Sequence, residues 1–237
     1  MVSEPSGRPD RSWPKGTFLA RLAEADRRAL LSLGRPRVCP PGEVLLAQGD
    51  PGDHVVLLID ALVTVVARVE NGVGALLGIR VGGDLVGEMA VLDGARRSAT
   101  VTTCVRSMVI RIAKGPFLGY LAEHAAAGLV LNTMLSDRLR WANRRRLDFA
   151  GYGVGVCLAR VLVDLARLHG RESSEGVDIG VRLSQSELGA LIGAKEISVH
   201  KALRGLSDQG LVRVGHRRVV ILDPHSLMTY AELSDMN

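Results

Sequence analysis

A Gly-Glu pair, Gly87-Glu88, and an Arg-Ser pair, Arg97-Ser98, are the residues of this chain best suited to hold an anion beside a sugar. Both lie in the stretch from Gly83 to Val101, which opens on a Gly-rich turn. It then runs through an apolar segment from Met89 to Leu92 and turns again at Asp93-Gly94. A short helix starting near Gly87 aims unpaired backbone N–H groups at an anion. Arg97 adds a fixed cationic fork, Ser98 a hydroxyl and an amide, and Glu88 an acceptor for a sugar hydroxyl. These parts suit a ribose joined to a single phosphate; the same residues also fit an ordinary strand-turn-strand with a surface arginine.

A second constellation spans Leu183 to Val212. Ser184 is an N-cap, and Glu187, three residues on, completes a capping box. Leu188, Leu191 and Ile192 give the first helix an inner face, and Gly193 breaks it. A second helix follows from about Lys195 to Gln209, burying Val199, Leu203 and Leu206, with Gly210 as its left-handed cap. Two short helices joined by a Gly turn make a helix-turn-helix, whose second helix enters a DNA major groove. Two alternating segments around Gly215-His216 then form a wing, where Arg213, Arg217 and Arg218 can meet phosphates.

The elements that must position these groups follow from the hydrophobic period. Residues 1–16 read as a disordered leader, and Phe18 to Leu33 as one amphipathic helix. Short β segments follow: Val44 to Ala47, Val55 to Ile59, Leu62 to Val69, Ala75 to Ile79, Thr100 to Thr103 and Met108 to Ile112. The turns Pro40-Pro41-Gly42, Gly49-Asp50-Pro51-Gly52 and Glu70-Asn71-Gly72 punctuate this small all-β roll. Helical character runs from Lys114 to about Gly151, with Leu121, Leu131, Leu135, Leu139 and Ala142 on one stripe. The arginines at 138, 140, 144, 145 and 146 are expected to be mostly solvated. Tyr152 to Gly155 makes a hinge, Val156 to His169 an apolar helix, and Arg171 to Gly180 a polar loop. The fold class expected is α+β, with domain boundaries at 1–16, 17–122, 123–152 and 153–237.

The 237 residues, 47% apolar and 23% charged, describe a globular chain, and a net charge of +5 favours an anionic partner weakly. Cys39, Cys104 and Cys157 are far apart, with no Cys-x-x-Cys, which argues against a zinc site or a disulfide framework and for a reducing cytosol. The longest apolar stretch, Val55 to Ala67, contains Asp60 and is too short to span a bilayer. The chain has no His-Glu-x-x-His, no Gly-x-Ser-x-Gly and no complete Walker loop, so an enzyme is not expected.

The Gly83–Val101 stretch closely resembles the phosphate-binding cassette of the cyclic-AMP receptor protein / FNR family of bacterial transcription regulators, and the helix-turn-helix and wing follow in that family's order. The turns Pro41-Gly-Glu and Gly49-Asp-Pro-Gly-Asp53 also resemble its β-roll, although Ala61 stands where the family usually has Gly. The resemblance implies an N-terminal cyclic-nucleotide-binding β-roll, a long dimerisation helix and a C-terminal winged helix-turn-helix. It implies ligand contacts at Val86, Gly87, Glu88, Arg97 and Ser98, with Ala142 and Asn143 at the place on the long helix where the family's cyclic-AMP binders use a Thr for adenine. Ala142 offers no donor or acceptor, so cyclic AMP, cyclic GMP, another anion and no ligand at all remain open.

For DNA, the resemblance implies Ser184, Gln185, Lys195, Glu196, Ile197, Ser198, His200, Lys201, Arg217 and Arg218. The family pattern on the reading helix is Arg-Glu-Thr-Val, then Gly or Asn, then Arg or Lys; here Glu196 and Ile197 replace the Arg and Glu. Arg reads guanine bidentately, whereas Glu accepts from cytosine N4 and Ile touches a thymine methyl, so a different half-site is expected. The implied partners are a palindromic duplex operator, a second copy of the chain and RNA polymerase, in the cytoplasm at the nucleoid. A ligand-independent regulator is one alternative, and an FNR-type redox or haem sensor another. No cysteine precedes Cys39 to hold a cluster, and His54, the only β-roll histidine, reads as a strand-edge surface residue.

Overall fold

A computed structural model describes residues 13–70 and 74–233. Residues 1–12 of the expected leader, and Asn71 and Gly72 of one expected turn, lie outside the described residues. The rest of that leader is anchored: the Trp13 indole donates to the Ile59 carbonyl at 2.9 Å and packs on the core beside Phe18 and Leu19. The leader's polar composition hid this single aromatic anchor.

The expected first helix is two, α1 (Phe18–Arg21) and α2 (Glu24–Ser32), parted by the extended Leu22 and Ala23. Strands β1 (Pro36–Cys39), β2 (Val44–Leu46), β3 (His54–Asp60), β4 (Leu62–Arg68), β5 (Gly74–Val81) and β6 (Leu85–Val86) lead to the short helix α3 (Glu88–Asp93). Then come β7 (Thr100–Thr103) and β8 (Ser107–Ala113). Two antiparallel sheets result, ordered β1-β8-β3-β6 and β2-β7-β4-β5. Val56, Leu58, Val86 and Val109 of the first face Leu46, Val63 and Val101 of the second across the roll's interior. Val55, Leu57, Leu85, Ile110 and Ile112 point the other way, onto the helices. The first sheet is thus covered on both faces, which is why β3 reads as an unbroken apolar run rather than an alternation.

The long helix is also broken. Helix α4 (Lys114–Glu123) ends at His124, and α5 (Ala125–Gly151) starts afresh. Its expected stripe divides between two environments: Leu131 is buried with Ala127 and Met134 on the roll, and Leu121 and Leu135 pack against the same core. Leu139 and Ala142 face outward, where Leu129 and Leu147 also stand exposed. A 27-residue helix spans far more than the roll can cover, so its stripe serves the roll at one end and leaves it at the other.

Helix α6 (Val154–His169) opens the tail domain. The segment expected as a polar loop is a hairpin, β9 (Arg171–Ser173) and β10 (Gly176–Asp178), whose edge strand is exposed throughout and so carries no apolar alternation. It extends the wing sheet, ordered β11-β12-β10-β9, in which β11 is Val212–Gly215 and β12 is Arg218–Ile221. Helices α7 (Gln185–Ile192), α8 (Glu196–Asp208) and α9 (Pro224–Tyr230) complete the domain. Leu76 and Ile79 of β5 pack into the tail-domain core beside Leu188 and Leu191, so the two domains share an apolar contact.

Candidate functional site

The cassette forms as a strand, a left-handed glycine and one and a half helical turns. Gly87 caps α3 at φ +84°, and a Cβ there would lie 2.6 Å from Arg97 Nη1 and 2.8 Å from Leu46. Only glycine allows both the backbone turn and the close approach of the guanidinium. Arg97 is buried at 4% exposure. Its Nη1 donates to the Gly87 carbonyl at 2.7 Å and its Nη2 to the His54 carbonyl, with Asp53 3.7 Å away. Burial holds its pKa below the usual guanidinium value. Ser98 is exposed beside it, and Val86 is buried in β6. The cassette therefore brings Gly87, Glu88 and Arg97 around one backbone turn.

His54 departs from expectation. Its ring is half-buried, linked through Nδ1 to Asp53 and 3.4 Å from Arg97 Nη2, and burial lowers its pKa. Arg97 accounts for this: by taking the His54 carbonyl it draws the start of β3 toward the cassette.

Glu88, 3% exposed, accepts from Arg138 Nη1 of α5 at 2.7 Å, and Arg138 Nη2 donates to the Leu85 carbonyl at 2.8 Å. Arg138 is thus no solvated charge, and it couples the cassette to the long helix. Arg145 is buried as well, between Asp148 at 2.7 Å and Asp164 at 3.3 Å. The other three arginines of that run, Arg140, Arg144 and Arg146, are exposed as expected. Ala142 lies one turn beyond Arg138 on the same helix face, and both Ala142 and Asn143 are exposed.

The tail domain presents α8 as a two-sided element. Val199, Leu203 and Leu206 are buried, while Lys195, Glu196, Ile197, His200 and Lys201 are exposed, Ile197 at 83%. An isoleucine so exposed, flanked by charges, is an unpaid apolar surface that a thymine methyl can cover. Ser198 is half-buried. Gln185 and His200 meet at 3.2 Å, so the start of α7 and the reading helix share a face. The helix crossing is tight because Gly189 has no side chain: a Cβ there would lie 2.5 Å from the Ala194 carbonyl oxygen.

The capping box is present, with Ser184 Oγ accepting from Glu187 N at 3.1 Å and Glu187 Oε2 from Ser184 N at 2.7 Å. Ser184→Ala should cost about 1 kcal/mol of stability, read as a lowered urea midpoint; an unchanged midpoint would show the cap to be dispensable. The wing arginines, expected to meet phosphates, each hold a carboxylate of this chain. Arg217 pairs with Glu187 at 2.8 Å, Arg218 with Asp178 at 2.6 Å, and Arg213 with Glu175. The half-buried Asp178 and Glu187 and the exposed Glu175 lie within reach of these long side chains, so phosphates must displace existing partners.

Among the described residues, no group of His, Cys, Asp and Glu is placed to hold a metal ion, and no helix is long and apolar enough to cross a membrane.

Two domain families match the two halves: the cyclic nucleotide-binding domain over residues 36–124 and the Crp-like helix-turn-helix domain over residues 158–230. Their order defines a class, the transcriptional regulators that place a nucleotide-binding roll ahead of a DNA-binding tail. Within it, the chain belongs to the CRP/FNR family. It is similar to the CRP-like cAMP-activated global transcriptional regulator of Mycobacterium tuberculosis, 27% identical over 199 residues that span 84% of this chain and 89% of that one. It is also similar to the cAMP-activated global transcriptional regulator Vfr of Pseudomonas aeruginosa, 26% identical over 210 residues, 86% of this chain and 96% of that one. The solved structure of the c-di-GMP responsive global regulator CLP of Xanthomonas campestris shares the fold, with a TM-score of 0.73 at 22% identity over 85% of this chain and 100% of that one.

Proposed function

We propose that this protein is a homodimeric, sequence-specific DNA-binding regulator whose affinity for a palindromic operator is gated by a cyclic mononucleotide, cyclic AMP or cyclic GMP, in the β-roll. The observation that carries the gating is the Glu88–Arg138 hydrogen bond, a direct link between the cassette and the long helix. A ligand that engages Gly87, Glu88, Arg97 and Ser98 competes for Glu88 and so alters the seat of α5.

The exposed Leu129, Leu139 and Leu147 give α5 an apolar outer face for a second copy, with Ala142 and Asn143 reaching the ligand from that seam. DNA is read by Glu196, Ile197, Ser198, His200 and Lys201, positioned by Ser184, Gln185, Lys195, Arg217 and Arg218. RNA polymerase is the downstream partner, the protein acts in the cytoplasm at the nucleoid, and it is not an enzyme.

Selection of bound sites from random duplex DNA, with and without each cyclic nucleotide, tests this reading. The expected result is a two-fold symmetric site bound by a dimer, more tightly with one nucleotide, with a C at the position facing Glu196 and a T facing Ile197. A monomer that selects nothing would overturn it. Recovery of the half-site read by the Arg-Glu pattern would contradict the roles given to Glu196 and Ile197.

A further inference from the structure

The ring of His54 lies on the cassette side of β3. Alternation along that strand turns Val56 and Leu58 into the roll and Val55 and Leu57 onto the helices, so His54 shares the face of Val56. Strands β3 and β6 run antiparallel with Val56 opposite Val86. The same register carried two residues further sets His54 level with Glu88. The side chain is 13% exposed, so solvent still reaches it.

Its Nδ1 has two neighbours with opposite demands. Asp53 Oδ1, 2.5 Å away, accepts and so requires a proton on Nδ1, whereas Arg97 Nη2, 3.4 Å away, can only donate. The shorter contact decides. Nδ1 carries the proton, Nε2 is the bare acceptor, and the guanidinium faces a nitrogen it cannot bond. A second proton, on Nε2, sets a positive ring against Arg97, with Arg111 of β8 close by and Lys114 of α4 following the Ala113 that pairs with His54. Asp53 opposes these cations, but it is shared with Arg111 at 3.2 Å and Arg97 at 3.7 Å. Glu88 and Asp50 bear on Arg97 as well. Burial first, then Arg111 and Arg97, keep the His54 pKa below the ordinary histidine value. A phosphate on Arg97 reverses that balance: it cancels the guanidinium charge that resists protonation and attracts the charge that protonation creates.

We infer that His54 is a further residue of the ligand site, taking a proton from solvent when a phosphate binds Arg97 and then sharing in holding that phosphate. On the cyclic-nucleotide reading proposed above, acidity therefore tightens ligand binding. His54 is neutral before the ligand arrives and more basic afterwards. Affinity is thus lowest above the ligand-bound pKa, rises as pH falls through it, and levels off below the ligand-free pKa.

Titration calorimetry of the full chain with cyclic AMP and with cyclic GMP, from about pH 5.5 to pH 8 in two buffers of different ionisation enthalpy, tests this. Wild type should bind about 5-fold more tightly at the acid end, with net proton uptake on binding. His54→Gln should bind with a flat pH profile and no uptake. It keeps the main-chain carbonyl that Arg97 Nη2 takes, so the fork stays in place. Asp53→Asn, which leaves the arginines unopposed, should move the rise to lower pH. The His54 imidazole resonances, followed by NMR, should titrate at higher pH with nucleotide bound. A pH-independent wild-type affinity, a slope that persists in His54→Gln, or an unmoved His54 midpoint overturns the role of His54 and leaves the cassette as the ligand site. No heat with either nucleotide at any pH overturns the cassette reading itself, and this role with it.

Discussion

Asp148→Ala lowers the stability of this protein by about 3–5 kcal/mol, the largest loss expected from any single side chain outside the apolar core. Asp148 is 2% exposed at the end of α5 and holds two arginines at once, Arg145 at 2.7 Å and Arg160 of α6 at 2.8 Å. The pair is not ideal. Arg145 approaches Asp148 Oδ2 off the hydrogen-bond direction, and its Nε and Nη1 find no partner among the described residues. Such a cluster adds little over a well-packed apolar one, but removing its carboxylate leaves the buried Arg145 with only the longer contact to Asp164 and takes the carboxylate from Arg160, and that is where the loss arises.

The consequence is also mechanical. Arg160 Nε and Nη2 donate to the carbonyls of Ala231 and Glu232, and its guanidinium sits 4.0 Å over the Tyr152 ring at the hinge. Asp148 thus ties the long helix to both ends of the tail domain. Urea unfolding should show the lowered stability, and limited proteolysis should cut first near Tyr152 and Gly153. A midpoint shift worth less than about 1 kcal/mol would place Arg145 in water rather than in the core.

The parts of this architecture legible in the sequence are those where one element meets one environment. Val199, Leu203 and Leu206 mark the inner face of α8, and Ser184 with Glu187 marks the start of α7, because the relevant neighbours are three or four residues away. The cassette was readable for the same reason: Gly87 and Arg97 declare a positive φ and a cationic fork by residue type. What escaped depends on distant partners. Nothing near Glu88 announces Arg138, fifty positions on. The hairpin of β9 and β10 has no apolar alternation to betray it. Helix α9 did carry a signal that went unread, Asp223 accepting from Ser226 N with Pro224 at the first helical position. The arginines show the limit most plainly: Arg138 and Arg145 sit in one basic run with Arg140 and Arg144, and only tertiary packing decides which are buried.

Arg97→Gln should weaken cyclic-nucleotide binding by at least 100-fold while Arg97→Lys retains part of it. The guanidinium has five N–H groups, and the Gly87 and His54 carbonyls use two of them. The remaining donors, held in a buried and pre-oriented fork, are what a cyclic phosphate can engage; each charge-assisted bond contributes about 1.5–3 kcal/mol. Two such bonds account for a 100-fold loss or more. Lysine restores the charge but not the fork, so its binding falls between the two. The same substitution strands the two carbonyls, so Arg97→Gln also costs about 1–3 kcal/mol of stability. Gly87→Ala separates these effects. Its methyl displaces the guanidinium while leaving the charge in place, so ligand affinity falls although Arg97 is still there. Calorimetry on folded samples of all three variants reads the difference, and wild-type affinity in Arg97→Gln would remove the cassette from the ligand site altogether.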